Sequence, residues 1–191
     1  SFQASTTMNS ARRAHSATHL LHLRVLIVGG QSGNVILAGA EIFDPNGNGG
    51  VGSLSPVGSM NYVRAFYTAN LLADGRVFVS GGVNSSFAPQ NSAEIFDPNM
   101  NGGVGGFVVT ATMPSPIAYH ADTVLADGRI LMTGGDTGGG NVSALANIFD
   151  SSLNGGLGAY APKASMSIIR SFHTSTLMNS GSVLICGGYS G

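Results

Sequence analysis

The sequence predicts an all-β propeller, on three observations. Glycine doublets recur at Gly29-Gly30, Gly81-Gly82, Gly134-Gly135 and Gly187-Gly188, at steps of 52, 53 and 53 residues. Methionines keep the same step, as Met8, Met60, Met113 and Met166. An Ile-Phe-Asp phrase returns as Ile42-Phe43-Asp44, Ile95-Phe96-Asp97 and Ile148-Phe149-Asp150. Three landmarks in one register define four repeats of about 53 residues, the last incomplete, and periods near 50 form propeller blades. A single four-stranded sheet cannot bury both faces, and radial stacking of like sheets solves that problem.

Each repeat reads as four short strands. Strand a covers residues 67–72 and its copies. An Asp-Gly turn follows at Asp74-Gly75 and Asp127-Gly128, a strong hairpin signal between apolar runs. In the first repeat His22-Leu23 stands in its place. Strand b is Val77-Phe78-Val79-Ser80, ending in the glycine doublet. Strand c is Ala93-Glu94-Ile95-Phe96-Asp97, stopped by Pro98, which cannot donate to a sheet. Strand d carries one large apolar residue six positions before each methionine: Phe2, Leu54, Phe107 and Tyr160. No stretch has the length and 3.6-residue period of a helix.

The chain divides accordingly. Residues 1–7 match strand d of a closing blade, 8–59, 60–112 and 113–165 are complete repeats, and 166–191 match strands a and b of a fourth. The expectation is a single propeller domain or a propeller fragment. Its ring is completed by a second copy, as a homo-oligomer, or by a missing chain segment. The start at Ser1 without Met fits a processed or excised product.

Composition narrows the function. Of 191 residues, 43% are hydrophobic, enough for a core, and only 9% are charged, against about 25% in an ordinary domain. Disorder requires the opposite balance. A net charge of −1 without a basic run argues against nucleic acid. No apolar run exceeds Val25-Leu26-Ile27-Val28, so no membrane span is expected. Aromatics are 7%, and three of the four strand-d slots hold one, Phe2, Phe107 and Tyr160, where an outer-membrane barrel would show two girdles. One cysteine, Cys186, excludes an intrachain disulfide and Cys-rich zinc sites; it reads as a buried small hydrophobe. Low charge and abundant Ser, Thr, Asn and Gly fit an extracytoplasmic or secreted protein. Asn84-Ser85-Ser86 and Asn141-Val142-Ser143 are glycosylation sequons, meaningful in a eukaryotic secretory route.

The phrases Arg64-x-x-Tyr67-Thr68-Ala69, Asp74-Gly75-Arg76-Val77, Gly81-Gly82 and Ala93-Glu94-Ile95-Phe96-Asp97-Pro98 resemble the kelch repeat, in the variant of the galactose oxidase central propeller. The resemblance covers nearly the whole chain. It departs in lacking the strand-d Trp, replaced by Phe, Leu or Tyr, and in the His22-Leu23 turn. The resemblance implies a copper reading for Tyr119-His120, which look like that family's Tyr-His copper ligands. Its cysteine-linked tyrosine and the histidine from a separate domain find no match here.

Four constellations are candidate sites. Arg12, Arg64 and Arg170 stand four positions after a methionine, with Ile117 at the third copy; Glu41, Glu94 and Asn147 hold the strand-c position. The repeat that loses Arg also loses Glu. Arg12–Glu41 and Arg64–Glu94 are therefore expected ion pairs, with Arg170 free or paired by another chain. The competing reading is an acidic ligand bound at the propeller mouth. His15, Tyr67, His120 and His173 form a second column, seven after each methionine, at the start of the innermost strand. They are expected to line the channel or to hydrogen-bond neighbouring backbone. Asp44, Asn46 and Asn48, then Asp97, Asn99 and Asn101, resemble the opening half of a calcium loop, without the closing acid that calcium needs; a Pro-Asn-Gly turn explains them equally. Asp122 has no assigned role. The expected function is a non-enzymatic binding module, its loops holding a protein or carbohydrate ligand at one propeller face. The three b–c loops, which differ most between copies, carry the specificity. The alternatives are a propeller fragment of a copper-radical oxidase and a self-assembling unit that closes a larger ring. No cofactor is expected; the Asp-Asn loops are weak candidate calcium sites, and copper is less favoured.

Overall fold

The computed structural model describes residues 7–191; Phe2 and the strand expected over residues 1–7 fall outside them, apart from Thr7. The first sheet contains β1 (Ser16–His19), β2 (Val25–Val28), β5 (Ala40–Asp44) and β6 (Ser53–Val57), with a small hairpin of β3 (Gln31–Ser32) and β4 (Val35–Ile36) projecting from its b–c loop. The second contains β7 (Thr68–Leu71), β8 (Val77–Ser80), β9 (Ala93–Asp97) and β10 (Gly106–Val109). The third contains β11 (Ala121–Val124), β12 (Ile130–Thr133), β13 (Ala146–Asp150) and β14 (Ala159–Lys163). The fourth holds β15 (Thr174–Leu177) and β16 (Val183–Cys186). All pairs are antiparallel, and the first strands β1, β7, β11 and β15 lie beside one another around an axis. Among the described residues these make four blades, three of them four-stranded.

Period-2 alternation fills the space between blades. Leu26 and Val28 of blade 1 pack with Val77, Val79, Phe96 and Met60 of blade 2. Phe78, on the other face of β8, packs with Ile130, Met132, Phe149 and Met113 of blade 3. The marker methionines Met60 and Met113 are thus plugs between sheets, which explains their fixed step. The strand-d residues cover the outer edge: Phe107 meets Phe96 and Tyr160 meets Phe149, each at 5.0 Å between ring centres.

The Asp-Gly hairpin needs one left-handed residue. Gly75, at φ +85°, donates to Leu72 O at 3.0 Å, and Leu72 N donates to Arg76 O at 2.8 Å. This is a type I turn with a glycine bulge. Asp74 Oδ1 accepts from Arg76 N at 3.1 Å. Blade 1 makes the corresponding bend with His22 and Leu23 at φ +62° and +63°, a strain of about 1–3 kcal/mol per residue.

The glycine doublets have a steric cause. A Cβ on Gly81 would lie 2.5 Å from Ile117 O and 2.9 Å from the His120 ring of the next blade. A Cβ on Gly82 would lie 2.5 Å from Ala65 O and 2.7 Å from Tyr67 in its own blade. The doublet lets one blade close on the next.

Candidate functional site

The d–a and b–c loops meet at one end of the axis. Here Phe66, Tyr119 and Phe172 form a rail of rings. Phe66 and Tyr119 are 4.9 Å apart, and Tyr119 and Phe172 stack at 4.3 Å. All three take left-handed backbone, at φ +56°, +56° and +57°, as does Ala14 at +50°. A ladder links them: Phe66 N donates to Ala14 O, Tyr119 N to Phe66 O and Phe172 N to Tyr119 O, at 3.4, 3.1 and 2.9 Å. Bulky residues at positive φ are outliers that cluster at ligand clamps. Phe172 is 63% exposed. Asp136 pairs through its backbone with Ala118, beside Tyr119, and its Oδ1 accepts from Gly138 N at 2.6 Å. Burial, then the Asp136 carboxylate, raises the Tyr119 phenol above its ordinary value. Apart from Arg12 and Arg64, the described loops at this end carry only Arg13, Asp136 and Arg170 as charges.

The structure places the arginines behind this mouth, not in it. Arg12 Nη2 lies 2.7 Å from Glu41 Oε1, and its Nη1 donates to Gly29 O and Gly39 O. Arg64 Nη2 lies 3.0 Å from Glu94 Oε1, and its Nη1 donates to Gly81 O and Ser92 O. Arg64 and Glu94 are fully enclosed, so neither offers a charge to a ligand. A third member escaped the sequence reading. Asn9 and Asn61, one after each methionine, donate through backbone and side chain to Glu41 Oε2 and Glu94 Oε2. Blade 3 holds Pro114 there, so the Asn is lost with Arg and Glu; the same comparison between repeats would have found it. Arg170 donates Nη1 to Gly187 O and has no carboxylate among the described residues.

The column of His15, Tyr67, His120 and His173 does not present a row of ligands to the channel. Its rings face the seams between blades. Tyr67 donates its hydroxyl to Val28 O of blade 1. His120 Nε2 lies 3.2 Å from Ser80 Oγ and 3.0 Å from Thr68 Oγ1 of blade 2. His173 Nε2 lies 3.0 Å from Thr133 Oγ1 of blade 3. Two of the three rings therefore bond hydroxyls on the preceding blade, where backbone groups were expected. His15 stands on the open side of blade 1, its Nδ1 buried without a partner. Asp122 belongs to the same seam as His120. Its Oδ2 accepts from Thr68, Asn70 and Ser80 at 2.6, 3.1 and 3.2 Å, and its Oδ1 is 3.5 Å from His120 Nε2. Burial pushes the Asp122 carboxyl up and the His120 imidazole down.

Tyr119 and His120 stand in different surroundings. The imidazole is wholly enclosed against Thr68, Ser80 and Asp122, while the Tyr119 ring is held in the rail. No group of three or more His, Cys, Asp or Glu suited to a metal occurs among the described residues. In the Asp-Pro-Asn loops the polar groups serve the loop. Asp44 Oδ1 accepts from Asn46 N, and Asn48, at φ +49°, donates Nδ2 to Gly52 O; Asp97, Asn99 and Asn101 repeat this with Gly105. Cys186 departs from expectation. It is exposed; among the described residues β16 pairs only with β15.

At the opposite end of the axis, an open cleft of about 480 Å³ is lined by Asp74, Arg76, Asp127, Arg129 and Asp150. Its two arginines pair within their own turns, Arg76 with Asp74 and Arg129 with Asp127, and Asp150 accepts from Ser152. Arg76 Nη1 also donates to Gly156 O of blade 3. The cleft is a joint between blades.

Comparison with known proteins agrees with this architecture. No family model matches the sequence, and no curated protein matches it. Among solved structures, the chain is similar to YjhT, with a TM-score of 0.74 and 14% identity over 93% of this chain and 59% of that one. It is also similar to a fungal alcohol oxidase of the AA5 family in complex with copper, with a TM-score of 0.52 and 17% identity over 92% of this chain and 47% of that one. The fold is a β-propeller. The chain spans less than two thirds of either structure, and at these identities the likeness is one of fold.

Proposed function

We propose that this protein is a non-enzymatic binding module whose ligand meets the axis mouth at the Phe66–Tyr119–Phe172 rail. The observation that carries the reading is the strained backbone of the rail. Three large side chains accept a left-handed conformation, at about 1–3 kcal/mol each, and all three lie where blades converge. The surrounding b–c loops differ in build: a mini-hairpin at Gln31–Ile36, an Asn84-capped turn, and a Gly-rich turn at Asp136–Asn141. Variable loops on a repeated scaffold are where such folds carry specificity. A protein or carbohydrate surface with an apolar face fits a mouth of aromatic rings and few charges. Selection from a displayed peptide library and an immobilised glycan panel tests the reading. Binders of the native protein are expected to lose at least tenfold in affinity on Tyr119→Ala or Phe172→Ala, while the far-ultraviolet spectrum stays unchanged. Affinity unaltered by both substitutions overturns it.

Self-assembly into a larger ring is a second reading, favoured by blade 4. Leu184, Met178 and Tyr189 are exposed there, and β16 has no outer neighbour among the described strands. The occupant is a second copy, and the solution mass decides: a monomer at micromolar concentration ends this reading.

A further inference from the structure

Consecutive residues in each repeat do two jobs. Phe66, Tyr119 and Phe172 form the rail, and the residue after each, Tyr67, His120 or His173, closes the seam behind it. Each rail contact crosses the seam that the next ring closes. Phe66–Tyr119 crosses the seam of His120, and Tyr119–Phe172 crosses that of His173.

The three seams differ in how they meet a proton. Tyr67 closes the first with a phenol, and burial raises it further from the neutral range. His173 closes the third with an imidazole whose Nδ1 is buried and unpartnered. A protonated imidazole carries N–H on both nitrogens, so the second would be an unsatisfied buried donor. No counter-charge stands ready. The ionisable groups facing His173 are Arg170 on its own segment and His120 across the seam, and Thr133 is neutral. His120 shares the orphaned Nδ1 but faces the Asp122 carboxyl, with Arg64, Tyr160 and His173 as the other ionisable groups around that pair. The positions equivalent to Asp122 are Ala17, Ala69 and Ser175, so only this seam holds an acid.

We propose that the seam between blades 3 and 4 is a proton-operated joint: protonation of His173 opens it and removes Phe172 from the rail, while Asp122 shields the seam between blades 2 and 3. As a control on binding, this rests on the rail being the ligand site; the joint itself does not. Burial first, then Arg170 and His120, hold His173 below its ordinary value of 6.5. A group depressed in the closed state contributes stability above its free value and loses it as pH falls. The closed seam is therefore favoured above that value and weakens below it. Asp122 has the opposite sign. Raised by burial, it binds its proton more tightly in the closed seam, which offsets proton uptake by His120 in the open one.

Amide hydrogen exchange reads each seam separately. Gly135 N to Arg170 O and Phe172 N to Tyr119 O report blades 3 and 4, at 2.8 and 2.9 Å. Gly82 N to Ile117 O and Tyr119 N to Phe66 O report blades 2 and 3; Gly30 N to Arg64 O and Phe66 N to Ala14 O report blades 1 and 2. Between about pH 7.5 and about pH 5.5, protection factors at Gly135 and Phe172 are expected to fall about tenfold, the effect of one proton. The other four amides change less than about threefold. His173→Gln flattens the response at Gly135 and Phe172. Asp122→Asn makes Gly82 and Tyr119 fall with them. Protection at Gly135 and Phe172 that ignores pH, falls equally in all three seams, or still falls in His173→Gln overturns the proposal. Because no ligand is present, failure of the rail as a binding site would leave these values unmoved, and it would appear only in the affinities of the rail variants.

Discussion

Blade 2 and blade 4 start from one sequence phrase and end in different surroundings. Blade 2 reads Met60, Arg64, Phe66-Tyr67 and then Val77-Phe78-Val79-Ser80-Gly81-Gly82. Blade 4 reads Met166, Arg170, Phe172-His173 and then Val183-Leu184-Ile185-Cys186-Gly187-Gly188. In blade 2 the b strand is wholly buried and Phe78 is 0% exposed; at the same position Leu184 is 49% exposed. Arg64 has Glu94, while Arg170 has a backbone carbonyl alone. Both hairpins form, with the same register. The phrase itself therefore makes the hairpin, and the neighbours make the core. Burial in a propeller belongs to pairs of blades.

The ion pair gives the widest separation between the two blades. Arg64→Ala leaves the Glu94 carboxylate enclosed with only Asn61 and Tyr62 donors, at a cost of about 3–5 kcal/mol. That lowers the melting temperature on the order of 10 °C in a chain of this size. Arg170→Ala, which strands no acid, is expected to cost less than about 1 kcal/mol. Blade 3 supplies the control, since it holds Ile117 and Asn147 at these positions. The double change Arg64→Ile with Glu94→Asn should recover most of the single-variant loss. Equal melting shifts for Arg64→Ala and Arg170→Ala would show that the enclosed pair contributes nothing of its own.

Core truncation sharpens the same contrast at a smaller scale. Leu26 occupies the Phe78 position in blade 1 and is 0% exposed. Leu26→Ala is expected to cost about 3 kcal/mol, transfer and cavity together. Leu184→Ala removes atoms already half in water and should cost below about 1 kcal/mol. Denaturant midpoints on both variants check this. A Leu184→Ala loss as large as that of Leu26→Ala means that a second copy covers blade 4 in solution.

The strands were readable because their signals are local. Val77–Ser80 and Ala93–Asp97 appear with the bounds expected, set by the Asp-Gly turn, the glycine doublet and Pro98. Between-copy comparison also reached across the fold. Arg and Glu vanish together in the third repeat, and their counterparts in the first two lie within 3.0 Å. The site was less readable because its signal is conformational. Phe66, Tyr119 and Phe172 recur six positions after each methionine, and of the three only Tyr119 stands out in the sequence, through its pairing with His120. Only left-handed backbone turns them to the mouth, and no side-chain pattern announces positive φ for an aromatic residue. The histidine column had the converse problem. Its period was plain, but a side chain at the start of an inner strand faces either the channel or a seam. The choice depends on the glycine doublet of the preceding blade, about 40 residues earlier, which clears room for the ring.

The thiol carries the smallest energetic effect and the cleanest contrast. Cys186 ends β16 as Ser80 ends β8, and only Cys186 is exposed. A solvent-exposed cysteine reacts as a free thiol, and an enclosed one is inert. Labelling with a maleimide under native conditions should therefore modify Cys186 completely within minutes. The variant Ser80→Cys with Cys186→Ser should label only on unfolding. Cys186→Ser itself is expected to shift stability by no more than about 0.5 kcal/mol. Protection of Cys186 that disappears on dilution would mean that another copy lies over the end of β16. Protection independent of concentration would mean that residues of this chain cover it, and the half-blade would then be a closed surface instead of an open edge.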